Sequence, residues 1–347
     1  MKEESFGLFP IRGLWIGLDE VSPLLLEREW AFVAPNDADS IASLVKDQDS
    51  LRGNVEMLRE RLKPDAFLIV RRYLDFSDVR AAWLNVREQA QRIITALNLI
   101  FLRSPLYEIK LQNGSDGQRM HPHPIWLTEV PEHPELPLVF LRDRLLVSGH
   151  HQTLSWTSWQ MLSGQRRSNA DIDAAINAAP DIYKALLPGG NVQNSFESAA
   201  RALMLSFNVA SQGQFISSAV GSLDILFGEN NSVRWSSMQD YVSTLCGSGS
   251  LPRVKSVFEG RHRFIHRHIE PTDPSSHLIT VAVVAAAFIR WADMLARYKD
   301  RTASLDVLEA IGRLTRASRG NSAEVAAALA QISKMVALPQ WIADWSL

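Results

Sequence analysis

Apolar residues recur along this chain first with a mixed period and then with a helical one. Trp30-Ala31-Phe32-Val33-Ala34 is a short apolar run that stops at Pro35-Asn36, which predicts a strand and a turn. From Asp37 to Leu62 the chain is polar and charged, with apolar residues at Ile41, Leu44, Val45, Leu51, Val55, Leu58 and Leu62. That spacing predicts two successive helices. Ala66 to Tyr73 reads as a second strand. Ser77 is the expected N-cap of a helix running to about Leu102, with apolar positions at Val79, Ala82, Trp83, Val86, Ala90, Ile93, Ile94 and Leu97. Tyr107 to Leu111 alternates and stops at the turn signal Asn113-Gly114. Five prolines between Pro122 and Pro137 argue against a helix or a central strand there. Leu138 to Leu141 predicts one more short strand. The pattern then weakens, with short helices expected around Asp171 to Ala179 and Ile182 to Leu187, before Pro188-Gly189-Gly190-Asn191.

Beyond that Pro-Gly-Gly the strand signals fade. Helical periodicity runs through Ser195 to Ser211, Gln214 to Phe227, Ser236 to Leu245, Pro252 to Arg267, His277 to Tyr298, Ser304 to Thr315 and Ser322 to Val336. Ser195 with Ser198 and Asp306 with Glu309 supply polar starts, and Gly228 and Gly247 supply stops. The expected architecture is an α+β domain over residues 1–190, suited to sensing or specificity, followed by an all-α bundle over residues 191–347. No internal repeat or low-complexity tract is evident.

Composition narrows the classes. With 46% hydrophobic and 21% charged residues, the 347-residue chain reads as globular. A net charge of −2 means that any phosphate-binding surface must be local. The single cysteine, Cys246, excludes an intramolecular disulfide and fits a reducing compartment. The opening MKEESFGLFPIRG is mixed in charge and lacks an apolar core, so no secretory signal is expected. The longest apolar run, Leu278 to Ile289, is too short to span a bilayer and reads as a buried helix. A cytoplasmic protein without membrane contact is the expectation.

One segment stands out from this background. From Arg253 to His268 there are five Arg or Lys residues against one acid, Glu259, a local balance of +4. The same segment holds His262, His266 and His268. Arginine offers a permanent charge and a planar fork of donors that matches a phosphate. Histidine gives and takes protons near neutral pH. Together, Arg261, His262 and His266 are a kit for cutting a phosphodiester without a metal.

Arg261-x4-His266, at the end of a helix and followed by a long apolar helix, resembles the Arg-x(4–6)-His signature of HEPN domains, the higher eukaryotes and prokaryotes nucleotide-binding helical bundles. The earlier segment Ala219 to Phe227, with Asp224 among apolar residues, is similar to the acidic helix of that family. The likeness covers roughly Ser195 to Tyr298 and is nearest to the Apea-like branch, in which an α/β region precedes the bundle. It implies a HEPN-type bundle acting as a metal-independent endoribonuclease, toxin-like or anti-phage, with RNA, tRNA included, as substrate. It further implies a homodimer with a composite active site, and an antitoxin or a phage-derived trigger as partner. His266 would transfer protons at the 2′-hydroxyl or the leaving 5′-oxygen. Arg261 would hold the scissile phosphate. The products would be a 2′,3′-cyclic phosphate and a 5′-hydroxyl. His262 meets the family's polar preference after the arginine, whereas Arg267 stands where glycine is frequent. Arg263, Arg267 and His268 would support phosphate binding, and Asp224 would orient Arg261 or His266. The competing family reading is a non-catalytic module that binds RNA, nucleotide or a protein.

Other readings of the residues remain. Arg261 and His266 at a helix C-terminus also suit the helix dipole, and Asp224 could equally serve a structural ion pair. His262 and His266 share the i, i+4 spacing of zinc ligands. A third ligand is not evident, although His268 and His277 are near in sequence, so neither metal nor cofactor is expected. His121, His123, His150 and His151 lie in loop-like sequence, and Trp156 and Trp159 suit packing better than base stacking.

Overall fold

The computed structural model describes residues 2–12, 29–44, 48–62, 64–75, 78–102, 126–127, 139–141, 145–146, 172–174, 177, 182, 191–206, 211–228, 235–247, 250–273, 275–317, 322–335 and 338. The chain divides into two compact units, Met1–Asn98 with Arg119–Ala178, and Leu99–Gln118 with Ala179–Leu347.

The first unit is built on an antiparallel sheet. Its strands are β1 (Lys2–Arg12), β2 (Trp30–Val33), β3 (Ala66–Asp75), β4 (Trp126–Leu127), β5 (Val139–Leu141) and β6 (Leu145–Leu146). They lie in the order β2-β3-β1-β5-β6, with β4 pairing β1 off that path. The long ladder joins β1 to β3, from Lys2 opposite Asp75 to Ile11 opposite Ala66. Helices α1 (Ala38–Ala42), α2 (Gln48–Leu62) and α3 (Val79–Leu102) accompany it. Alternation places Phe6, Leu8, Ala31, Val33, Phe67 and Ile69 in one core with Ile41, Leu51, Val55 and Leu58 of α1 and α2. The opposite face meets α3: a Cβ on Gly7 would drive into the Val86 side chain, so strand and helix close up only because residue 7 has none.

β1 is absent from the expectations drawn from the sequence, and its burial explains why. Ser5 through Ile11 are buried without interruption, which erases the two-residue alternation. Gly7 and Pro10 further weaken the strand pattern. On its second edge β1 pairs β5 through residues 5–7 and β4 through residues 11–12, and this ladder skips residues 8–10. Pro10, which has no N–H to give, is tolerated in that gap. Asp78 accepts a hydrogen bond from the Ala81 backbone N–H at 3.0 Å, so Asp78 caps α3 in place of Ser77. Ser77, Tyr107–Leu111 and Asn113-Gly114 lie outside the described residues.

The second unit is helical: α4 (Asn191–Ser206), α5 (Gln212–Phe227), α6 (Trp235–Cys246), α7 (Leu251–Arg267), α8 (Ser275–Tyr298), α9 (Arg301–Ala317) and α10 (Ser322–Met335). α5 packs on α4, α7 and α8, and α6 packs on α8 and α9. At the centre, Phe288 of α8 meets Phe196 edge-on at 5.6 Å, and Trp291 meets Phe227 at 5.3 Å. Arginines close the helix ends: Arg301 donates to the Phe227 carbonyl at 2.5 Å, and Arg290 donates to the Leu245 carbonyl. Within α8, Ile279–Tyr298 has a mean hydropathy of 1.7 and is long and apolar enough to cross a bilayer, which the shorter run Leu278 to Ile289, interrupted by Thr280, did not suggest. Of that window, 67% is buried within the protein, as befits a core helix. Cys246 beside α8 donates its S–H to the Val283 carbonyl at 3.4 Å, and burial pushes its thiol up to about 12 although Arg290 pulls the other way. A thiol held in its neutral form is suited to packing.

Candidate functional site

α7 has two unlike faces, and they follow from its sequence. Val254, Val257, Phe258 and Gly260 are buried, whereas Arg253, Lys255, Glu259, His262, Arg263, His266 and Arg267 are exposed. The helix turns about 100° per residue, so Arg261 and His266 point about 140° apart around its axis. Arg261 falls on the inner side and is half-buried; His266 falls on the outer side.

Arg261 is held by Asp224. Its Nη2 donates to Asp224 Oδ2 at 3.0 Å, joining α7 to α5. The two helices run antiparallel, with Gly213 against Phe264 and Ile216 near Gly260. Side chains lean toward the N-terminus of their own helix, so in an antiparallel pair these two lean toward each other. The partner of Asp224 is thus Arg261. Burial pushes its carboxyl above the ordinary 3.8, and the opposing pull of the Arg261 charge does not cancel that.

His262 and His266 form the second pair. They stand one turn apart on the exposed face, with ring centroids 4.6 Å apart and planes tilted by 48°. His268 ends the helix in the left-handed conformation, with φ 53° and ψ 33°. Its backbone N–H donates to the Phe264 carbonyl at 2.9 Å. Arg267 is still helical. The left-handed turn that favours glycine therefore comes one residue later than the resemblance leads one to expect, which explains why arginine fits at 267.

The connector that follows carries a residue that the sequence did not single out. Glu270 Oε2 accepts from the Gly213 backbone N–H at 2.8 Å, at the start of α5. Gln212 Nε2 donates to the Asp273 carbonyl at 2.9 Å. Together they tie the segment after the histidines to the helix that bears Asp224. A carboxylate at a helix N-terminus satisfies an otherwise orphaned donor and the dipole; its distance in sequence from α5 hides this role. Ser211 caps the same terminus, accepting from the Gln214 N–H at 3.1 Å.

A hollow of about 270 Å³ opens between α5, α7, this connector and α8, lined among others by Ile216, Val257, Gly260, Arg263, Glu270 and Thr280. Of the candidate residues only Arg263 reaches it; the histidines lie on another side of α7. Among the described residues no group of three or more His, Cys, Asp or Glu side chains is placed to hold a metal. His121, His123, His150, His151, Trp156 and Trp159 lie outside the described residues.

No family model matches the chain, and neither does any curated protein or solved structure.

Proposed function

We propose that the second unit is a HEPN-type endoribonuclease whose working surface is the exposed face of α7. The observation that carries this reading is the segregation on one helix: two histidines in ring contact on a strongly basic outer face, with Arg261 fixed behind them by Asp224. One imidazole takes the proton of an RNA 2′-hydroxyl, whose oxygen attacks the adjacent phosphorus. The P–O5′ bond breaks, and the second imidazole gives the leaving oxygen its proton. The products are a 2′,3′-cyclic phosphate and a 5′-hydroxyl. Arg253, Lys255, Arg263 and Arg267 hold the RNA backbone, and Arg261 supplies fixed positive charge for the pentacoordinate phosphate. No step requires a metal.

Because Arg261 and His266 point apart on one helix, one chain does not by itself wrap a phosphate between them. Two copies facing each other through α7 would bring the histidines of one to the arginines of the other. The toxin-like or anti-phage role rests on the resemblance alone. A non-catalytic RNA- or nucleotide-binding module is the second reading, favoured by the same divergence of the two side chains.

The test is RNA cleavage by the purified protein in EDTA. Cleavage to cyclic-phosphate ends is expected, and His266→Ala should remove it by a factor of about 10² to 10⁴. Retained cleavage in His266→Ala, or loss of wild-type cleavage on chelation, sinks the proposal. Binding without cutting favours the second reading.

A further inference from the structure

We infer that His262 and His266 form a binding site for a borderline divalent cation, Zn(II), Ni(II) or Cu(II), and that occupancy silences the nuclease proposed above. The regulatory half rests on that nuclease reading; the metal site does not. Imidazole is a preferred donor for these ions. Two histidines at i and i+4 on a helix present their nitrogens to one side, which is the spacing that helical zinc sites use. The spacing alone is a weak signal, and the structure adds what it lacks. The rings already stand 4.6 Å apart, tilted by 48°, with both side chains exposed. Bringing both nitrogens onto one ion therefore needs only small side-chain rotations, and among the described residues the two rings are open to solvent.

The charge balance opposes a cation, and its weight can be judged. Lys255, Arg263 and Arg267 share the exposed surface of α7, but all three are solvated. Repulsion between solvated charges this close is weakened chiefly by the high dielectric of water, to about 1 kcal/mol per pair at 4 Å. Glu259, one turn before His262 on the same outward side, works the other way. Coordination bonds to neutral nitrogen are local and are not screened in this manner. Because no third side chain joins the pair among the described residues, two protein donors are expected, with water in the remaining positions. A metal bound so ties up the lone pairs that proton transfer needs. It inhibits and does not assist.

The experiment is titration of the full chain with zinc chloride and nickel chloride in a non-chelating buffer, read by calorimetry and by histidine NMR signals. One site per chain is expected. His262→Ala and His266→Ala should each weaken it by at least about tenfold, since losing a ligand costs no less than losing the group behind one. Glu259→Gln should weaken it less. Both imidazoles are exposed, so thermal melts should show the variants folded. Equal affinity in the double variant His262→Ala/His266→Ala, or no binding to the wild type, overturns the site. On RNA, zinc should stop cleavage and EDTA should restore it. Zinc bound through the pair while cleavage runs on overturns the regulatory half. Zinc bound through the pair in a protein that never cuts RNA leaves the site standing and removes the nuclease.

Discussion

Among the described residues each unit contains an arginine-carboxylate pair that links two of its long elements, Arg71–Glu4 in the first and Arg261–Asp224 in the second, and these two pairs are balanced in opposite ways. In the sheet, Arg71 of β3 meets Glu4 of β1 at 2.7 Å, with side-chain exposures of 15% and 14%. Tyr73 adds its ring beneath the guanidinium at 5.3 Å. Burial works against the Arg71 charge, but Glu4 and Tyr73 outweigh it, and the group is held above its ordinary value. In the bundle, Arg261 meets Asp224 at 3.0 Å, with exposures of 19% and 41%. There burial outweighs the partner, and the Asp224 carboxyl is pushed toward its neutral form. The first pair is a closed clip whose charges are well served. The second is half-open, with burial outweighing the partner at Asp224, and stands on the inner side of the helix that exposes the two histidines. Perturbed ion pairs gather at functional sites, which accords with the proposed use of Arg261.

Stability separates the two pairs first. Arg71→Ala removes the charged partner of Glu4 in a closed place and should cost roughly 3 kcal/mol in denaturant unfolding. Arg261→Ala leaves Asp224 able to take up water and should cost less, about 1–2 kcal/mol. The reverse order would mean that the bundle pair is the structural one. Next come the glycines that allow close approach in each unit. Gly7→Ala meets Val86, and Gly213→Ala meets the Phe264 ring. Each should cost about 1–3 kcal/mol through overpacking, read as a lower melting temperature. A neutral Gly213→Ala would show that α5 and α7 are not tightly seated. His268→Gly should stabilise by about 1 kcal/mol, because the left-handed turn then carries no Cβ.

The smallest effect is the pH dependence of Asp224. Its folded value lies above its unfolded value of 3.8, so the folded protein holds that proton more tightly. The stabilisation it contributes is complete below the unfolded value and is lost as pH rises through the folded one. The stability of wild type relative to Asp224→Asn should therefore fall as pH rises above the unfolded value of 3.8. A rise over that range would mean that the Arg261 charge outweighs burial.

Much of this was legible in the sequence, and the exceptions have physical causes. The helices of the second unit are amphipathic enough that periodicity placed them, α4 apart, which lies a few residues early. β2 was marked by an apolar run ending at Pro35-Asn36, and β3 by the run that opens at Ala66. β1 was hidden by two-sided burial. The Asp224 and Arg261 pairing was foreseeable only as one of two options, since helical spacing gives a face and not a partner on another helix. Glu270 was invisible because its partner, the Gly213 N–H, lies far away in the chain.

The proposal places the working surface on the outer face of α7 with Arg261 fixed behind it, and leaves the sheet pair a structural role only. The direct measurement is RNA cleavage in EDTA by Arg71→Ala and Arg261→Ala, each at a temperature where its melt shows it folded. Arg71→Ala should cut at the wild-type rate, and Arg261→Ala should lose about 10² to 10³. Equal rates in the two variants, whether both high or both low, would contradict the account.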